Sequence, residues 1–423
     1  MPFTSLGLSP AMLRAVSAKA YSVPTPIQAS AIPVALQGRD VLGSAQTGSG
    51  KTVAFALPLL QQFEASPMEV PRKVGALILV PTRELATQVG EEIRVLAQHM
   101  TRPIKVSIVF GGVSINPQMM RLRGGTDIVV ATPGRLLDLI DHNALSIRSV
   151  RTLVLDEADR LFDLGFAEEL GRIVRLMPSQ RQSLFFSATF PPAVQALANT
   201  LLRDPVRVEV LPEPESAPDI VQRAIAVDTG KRTQLLRHLI GLNHWSRVLV
   251  FVATKHAAEM VADKLRKARI YAEPFHGELS QGKRTQVLAD FKASRLKVVI
   301  ATDVAARGLD IAQLPVVVNF DLPRSAVDYT HRIGRTGRAG ERGLAVSFVS
   351  AETEAHFKLI QKRQGLDMAL ESVEGFEAQE AAPAAAALSV SGEVVDHANG
   401  GVKGKRPSKK DKLRAMQGQN LGQ

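Results

Sequence analysis

The sequence predicts an α/β protein of two tandem domains, each a parallel sheet flanked by helices, followed by a disordered C-terminal tail. Three observations predict it. Short apolar runs recur along the chain, each followed by small or charged residues and then a helical pattern. One segment rich in Pro and Glu divides these runs into two sets. Beyond about residue 370 the large apolar residues thin out.

The runs of the first half are DVLGSA, GALILVPT, VSIVFGG, DIVVATPG, TLVLDEAD and SLFFSAT. Those of the second half are RVLVFVAT, KVVIATD, VVVNFD and GLAVSFV. Val, Ile and Leu without polar alternation mark strands covered on both faces. Alternation with helical stretches such as RELATQVGEEIRVLAQ implies right-handed βαβ units and parallel sheets. In VEVLPEPESAPDIVQ the prolines can neither donate to a ladder nor sit inside a helix, so about 209–219 is expected to be a linker. The expected domains are therefore 1–208 and 220–370.

The tail, 371–423, changes character. Residues 371–396 hold six acids and no Lys or Arg, whereas 403–414 hold seven Lys or Arg and one acid. Such a segment buries too little apolar surface to offset its ordering entropy, so disorder is expected. Its charges nearly cancel, which leaves the formal net charge of +11 on the folded part. A basic folded body points to a polyanionic partner. The 423 residues contain no Cys, which excludes disulfides and thiolate metal sites. The start, MPFTSLGLSP, lacks the basic and apolar regions of a signal peptide. No apolar run reaches about 18 residues, so no membrane span is expected.

AQTGSGKT, residues 45–52, follows the strand DVLGS and opens the apolar helix VAFALPLL. Strand, Gly-rich loop, GKT and helix in that order make a phosphate-binding loop, with Ala45 where the first Gly usually stands. Gln46, Thr47, Gly48, Ser49 and Gly50 would present backbone N–H groups to phosphate oxygens. Lys51 would supply a point charge to the β- and γ-phosphates, and Thr52 a hydroxyl to Mg²⁺. The strand LVL at 153–155 then breaks into Asp156, Glu157 and Asp159. Asp156 could simply cap the next helix. Behind a phosphate loop, an acid at a second strand end is better read as a Mg²⁺ ligand acting through water. Glu157 beside it can orient or deprotonate the attacking water. For Asp159 alone, cap and functional group stay open.

D-E-A-D at 156–159, GSGKT, S-A-T at 187–189 and HRIGRTGR at 331–338 together resemble the DEAD-box family of ATP-dependent RNA helicases, over roughly residues 3–350. The resemblance implies two RecA-like domains with one ATP between them, and the absence of a second GKT agrees. YSVPTPIQ at 21–28 is similar to the family's Q motif; it implies adenine contacts by Tyr21 and Gln28, with Phe3 packing near the base. The Gln28 amide offers one donor and one acceptor, matching N6 and N7 of adenine. Without the family, PTPIQ reads as a turn and a helix start. Ala20 stands where the family usually has Gly.

The family also implies RNA contacts by Arg83 in PTRELA, Gly112, and Thr132 with Arg135 in TPGR. In the second domain the matching positions are Thr254, Gly277 after His276, Gln281 with Arg284, and Thr302. Most of these groups suit sugar and phosphate, so little sequence preference is expected. Arg335 and Arg338 would reach across the cleft to the γ-phosphate, Asp310 would contact the ribose, and His331 would couple to Asp159, Ser187 and Thr189. An arginine finger is worth about 10³–10⁵ in rate.

The expected activity is RNA-stimulated hydrolysis of ATP, with Mg²⁺, that separates short RNA duplexes or remodels RNA–protein complexes. A DNA translocase of the same superfamily and an ATP-gated RNA clamp are the alternatives. DNA-stimulated ATPase would favour the first, and long-lived RNA complexes without strand release the second. A small-molecule kinase needs neither the second half nor HRIGRTGR. The short basic tail and compact core resemble bacterial members, so a cytoplasmic monomer is expected, with ribosome assembly or RNA decay as the pathways suggested. The RNA target and protein partners are not encoded in the motifs.

Overall fold

The computed structural model describes residues 2–45, 48–210, 219–306, 314–337 and 342–380. The first domain contains β1 (Val41–Ser44), β2 (Ala76–Leu79), β3 (Val106–Val109), β4 (Ile128–Ala131), β5 (Thr152–Leu155), β6 (Gln182–Ser187) and β7 (Val206–Glu209). They form one sheet in the order β3-β4-β2-β5-β6-β1-β7, with every neighbouring pair parallel. The second contains β8 (Ile220–Ala226), β9 (Val248–Val252), β10 (Ala272–Phe275), β11 (Val298–Thr302), β12 (Val316–Asn319), β13 (Gly343–Val349) and β14 (Leu370–Glu371). Its order is β10-β11-β9-β12-β13-β8-β14, again parallel throughout. Counted from the start of each domain, the two orders are identical, so the chain builds one topology twice.

Period-two alternation feeds a core on each face of each sheet. In the first domain Ile78, Val130 and Val154 enter one apolar cluster, while Leu77, Val129 and Leu153 enter the other. In the second, Val250, Ile300 and Val318 face one side, and Leu249, Val299 and Val317 the opposite side. Both faces being covered explains the unbroken Val, Ile and Leu runs.

The second domain continues past the expected boundary at 370. Arg223 grips Glu371 through three bonds of 2.6–3.1 Å. Val373 and Phe376 pack on the apolar cluster around Leu235 and Leu239. The N–H groups of Gln379 and Glu380 donate to Asp228 Oδ1 at 2.8 and 2.9 Å. In the first domain β7 closes the sheet at one edge. Most of the expected linker, and the tail from 381 with its basic cluster, lie outside the described residues. Among the described residues no helix is long and apolar enough to cross a membrane.

Ala20 ends the helix Pro10–Ala18 in the left-handed region, at φ 55°. Tyr21 N–H donates to Val16 O at 3.2 Å and Ala20 N–H to Ser17 O at 2.9 Å. This is a turn that glycine makes without steric cost. Ala20→Gly is expected to raise stability by about 0.5–1 kcal/mol. A urea midpoint that stays put or falls would show that the extra freedom of Gly in the unfolded chain wins.

Candidate active site

In a parallel sheet all strands end on one side, and ligands bind there. In the first sheet β6 lies between β1 and β5. The phosphate loop after β1 and the acids after β5 therefore flank Ser187 at the end of β6. Gly48 and Gly50 take φ of 86° and 91°, the left-handed turn that aims N–H groups into the loop. Lys51 is buried and its Nζ donates to Ala45 O at 2.8 Å, across the loop. Ser49 Oγ is buried without a hydrogen-bond partner among the described residues, which suits a loop that wraps an anion. Gln46 and Thr47 lie outside the described residues.

Gln28 ties the N-terminal helix Pro26–Leu36 to this loop. Its Nε2 donates to Gly50 O at 3.1 Å, and its Oε1 accepts from Thr25 N–H at 3.0 Å. An amide has a second donor and a second lone pair, so one of each remains for a base. The contact also leaves no room for a side chain at residue 50: a Cβ on Gly50 would meet Gln28 Nε2 at 2.4 Å. Phe3 is 5% exposed, within the first domain's core. Tyr21 is half-exposed, and its hydroxyl donates to Glu92 at 3.2 Å, with Lys19 on the same carboxylate at 2.8 Å.

Asp156 is buried, and desolvation pushes its pKa up to about 6 despite the opposing charge of Lys51; neighbouring Glu157 adds to the rise. A buried carboxylate short of positive charge, with Thr52 at the head of the loop helix, is a hard-oxygen set that fits Mg²⁺. In nucleotide-free protein the raised pKa has a stability consequence. Folding favours the protonated form, so the contribution is complete below about pH 4 and is lost as pH rises through 6. Asn cannot ionise. Asp156→Asn is thus expected to gain about 1–3 kcal/mol on the wild type between pH 5 and 7.5. Paired melts without nucleotide or magnesium would measure it, and a pH-independent difference would refute the desolvation.

Asp159 is fully engaged. Its Oδ2 accepts from Thr189 N–H at 3.0 Å and Thr189 Oγ1 at 2.8 Å, and its N–H donates to Ser187 Oγ at 3.1 Å. Ser187 Oγ in turn donates to Thr189 O at 2.7 Å. His331 of the second domain comes to this cluster. Burial holds its pKa below the ordinary value, Arg160 and Arg335 add to the effect, and Asp159 opposes it. At neutral pH it is a neutral hydrogen-bonding group. Arg335 is buried and lines one pocket with His331 and Arg160. Arg338 and Asp310 lie outside the described residues.

The expected RNA contacts divide into two kinds. Gly112, Thr132, Thr254, Gly277 and Thr302 sit at strand ends or helix starts. Thr132 Oγ1 accepts from Gly111 N–H at 3.3 Å, and Thr254 Oγ1 caps its helix through Ala257 N–H at 3.1 Å. Arg83 Nη1 donates to Gly112 O and its Nη2 to Gly277 O, both at 3.3 Å, so it spans the two domains. Two of the arginines are held by protein partners. Arg135 is buried, and donates to Phe110 O at 2.9 Å and Val113 O at 2.7 Å, bracing the loop that carries Gly111 and Gly112. Arg284 is buried over the ring of Phe275 and pairs with Glu84 of the first domain at 2.8 Å. Both bond groups of the protein itself. Gln281 Oε1, beside Arg284 in the same helix, is buried without a partner among the described residues.

Three residues escaped the motif reading. Glu84 is the partner of Arg284. Asp303 accepts both bonds of a 2.6 Å fork from Arg332, which also donates to Asp321 O and fixes the helix Ala326–Ile333 that carries His331. Arg160 pairs with Glu157. Charged residues three apart at a helix start were the only available signal for the last.

The family model for DEAD/DEAH box helicases matches residues 25–197, and that for the helicase conserved C-terminal domain matches 230–340. The DEAD-box ATP-dependent RNA helicase CshA of Bacillus cereus is 40% identical over 360 residues, 85% of this chain and 67% of that protein. S. cerevisiae Dbp5 bound to RNA and ADP BeF3 superposes with a TM-score of 0.76 at 30% identity, over 88% of this chain and 95% of that one. Mss116p bound to ssRNA and AMP-PNP also gives 0.76, at 27% identity, over 88% and 79%.

Proposed function

Because this chain belongs to the DEAD-box family of ATP-dependent RNA helicases, we propose that it hydrolyses ATP between its two sheet domains and uses the cycle to separate short RNA duplexes or remodel RNA–protein complexes. One observation carries the reading. Lys51, Asp156 and Glu157 of the first domain and His331 and Arg335 of the second are gathered at one cleft, with Asp159 linking the acids to Ser187 and Thr189. Neither domain has the whole set.

In this reading Lys51 holds the β- and γ-phosphates, Gln28 reads adenine with its remaining donor and acceptor, and Glu157 takes a proton from the attacking water. Asp156 and Thr52 would hold Mg²⁺, which when bound offsets charge on the phosphates. Arg335 lies on the far wall, where a guanidinium can meet charge developing on the γ-phosphate. Arg83 and the Glu84–Arg284 pair join the domains on the RNA side, so closure around ATP and closure around RNA are one event. Each ligand then raises the affinity for the other by the same factor. The groups at the RNA edge are backbone amides, Thr hydroxyls and Arg, which supports binding to sugar and phosphate with little base readout. The experiment is ATP hydrolysis with and without RNA, together with release of a strand from a short duplex. ATPase stimulated by DNA and indifferent to RNA would reject the proposal.

A further inference from the structure

The carboxylate of Glu157 is held. Arg160 Nη1 donates to Glu157 Oε2 at 2.8 Å, and each side chain is 5% exposed. The backbone arranges the meeting. Glu157 takes left-handed angles, φ 52° and ψ 51°, directly before the short helix Ala158–Asp163. Its carbonyl accepts from Arg160 N–H at 3.0 Å and Leu161 N–H at 3.1 Å. That first turn swings Arg160, three residues on, back over the carboxylate. A non-Gly residue at positive φ is strain that persists only where the surroundings over-determine it. Here it sits on the residue that has to face water.

Arg160 has a second side. The pocket it lines is otherwise made by the second domain, including Asp303, His331, Arg332 and Arg335. Its charge is felt by His331, whose pKa it helps to lower. Arg160 thus stands between the water-facing carboxylate and the wall that arrives when the domains meet.

A glutamate has three rotatable bonds, and a base works only within hydrogen-bond reach of the proton it takes. A charge-assisted bond to a buried guanidinium fixes both the position and the plane of the carboxylate. We propose that Arg160 is a positioning residue for hydrolysis: it holds Glu157 in the pose that meets the attacking water, and the second domain's His331–Arg335 wall locks it in that pose on closure. The inference rests on reading Glu157 as the group that activates water. It concerns an arginine just outside the D-E-A-D residues 156–159.

The test is a double-mutant cycle on the full chain, in single-turnover ATP hydrolysis at saturating RNA. Arg160→Ala is expected to slow hydrolysis by about 10- to 100-fold, a part of the range that a positioned base supplies. The concentration of ATP for half-maximal rate should move by less than about twofold, because only the transition state loses an interaction. Arg160→Lys keeps the charge without the planar fork and should fall between the two. RNA binding in the presence of AMP-PNP should be unchanged in all of them. In a Glu157→Gln background, Arg160→Ala should cost less than about a further twofold, since the carboxylate it positions is gone. An equal loss in both backgrounds, or AMP-PNP-dependent RNA binding weakened in step with the rate, would overturn the proposal and make Arg160 a brace of the closed form. Wild-type turnover by Glu157→Gln alone would remove the water-activating role itself, a separate failure. If Arg160→Ala does not fold, Arg160→Gln carries the same comparison.

Discussion

Lys51→Ala is expected to lower RNA-stimulated ATP turnover by about 10²–10³ or more, the cost of removing one preorganised electrostatic group at a site of developing charge. Two effects combine. The first is direct: the ammonium that would meet the β- and γ-phosphates is lost. The second runs through Asp156. Lys51 is the charge that opposes the desolvation of that carboxylate, so without it Asp156 is pushed above its present pKa of about 6 and is a poorer cation ligand at neutral pH. The damage should therefore reach magnesium dependence as well as nucleotide affinity. In the resting protein Lys51 Nζ donates to Ala45 O across the loop. The fold should survive, because the helix Lys51–Ala65 is held by Val53, Phe55, Leu57 and Leu60 in the core. The measurement is steady-state ATPase at saturating RNA beside a thermal melt. A folded Lys51→Ala protein with near-normal turnover would sink the phosphate-loop assignment.

The strands legible in the sequence are those covered on both faces. All ten apolar runs became strands. The four that escaped are β7, β8, β10 and β14, and they share a cause. β7, β10 and β14 each have a single neighbour and close an edge, and β8 sits next to the edge strand β14. Their residues are part-exposed: Arg207 and Glu209 alternate with Val in β7, and β10 carries a proline, which only an edge tolerates. For β14 the pairing is two residues long, so no pattern exists to read. What holds 371–380 is a set of distant partners, Arg223 and Asp228, invisible along the chain.

The site shows the same limit. The phosphate loop and the acids after β5 were legible because strand, turn and helix follow one another locally. For Arg135 and Arg284 the motif implies RNA contacts, and the sequence does not show their protein partners. Whether an arginine meets a ligand or the protein depends on what folds over it. Here the loop around Gly111–Gly112 and Glu84 of the other domain bond them. The Tyr21 hydroxyl likewise has a partner from a neighbouring helix, Glu92, that the sequence does not reveal. Arg160 carried no label, because its role is defined by a contact to Glu157 and by a wall that includes His331 and Arg335, far downstream in the chain.

Glu157→Gln should separate binding from chemistry. The amide keeps the size of the carboxylate and its oxygen can still accept from Arg160 Nη1, so the contact at 2.8 Å can persist in weaker form. The guanidinium then stays buried with a neutral partner instead of an ionised one, for which a stability loss of about 1–2 kcal/mol is expected. Asp156, whose pKa Glu157 helps to raise, should ionise more readily, so a nucleotide–magnesium complex is not disfavoured. What disappears is the acceptor for the water's proton. The chemical step should slow by about 10²–10⁴, the usual range for a positioned base, while half-saturation by ATP changes little. Closure depends on contacts this substitution leaves in place: Asp159 with Ser187 and Thr189, Arg332 with Asp303, Arg284 with Glu84. In the proposed cycle, hydrolysis and phosphate release reopen the cleft. The variant should then accumulate on RNA in the presence of ATP and dissociate far more slowly than the wild type. The measurement pairs single-turnover hydrolysis with RNA dissociation after ATP is added. Rapid release despite stalled hydrolysis would mean that ATP does not hold the domains shut, and would break the link between the nucleotide cleft and the RNA edge.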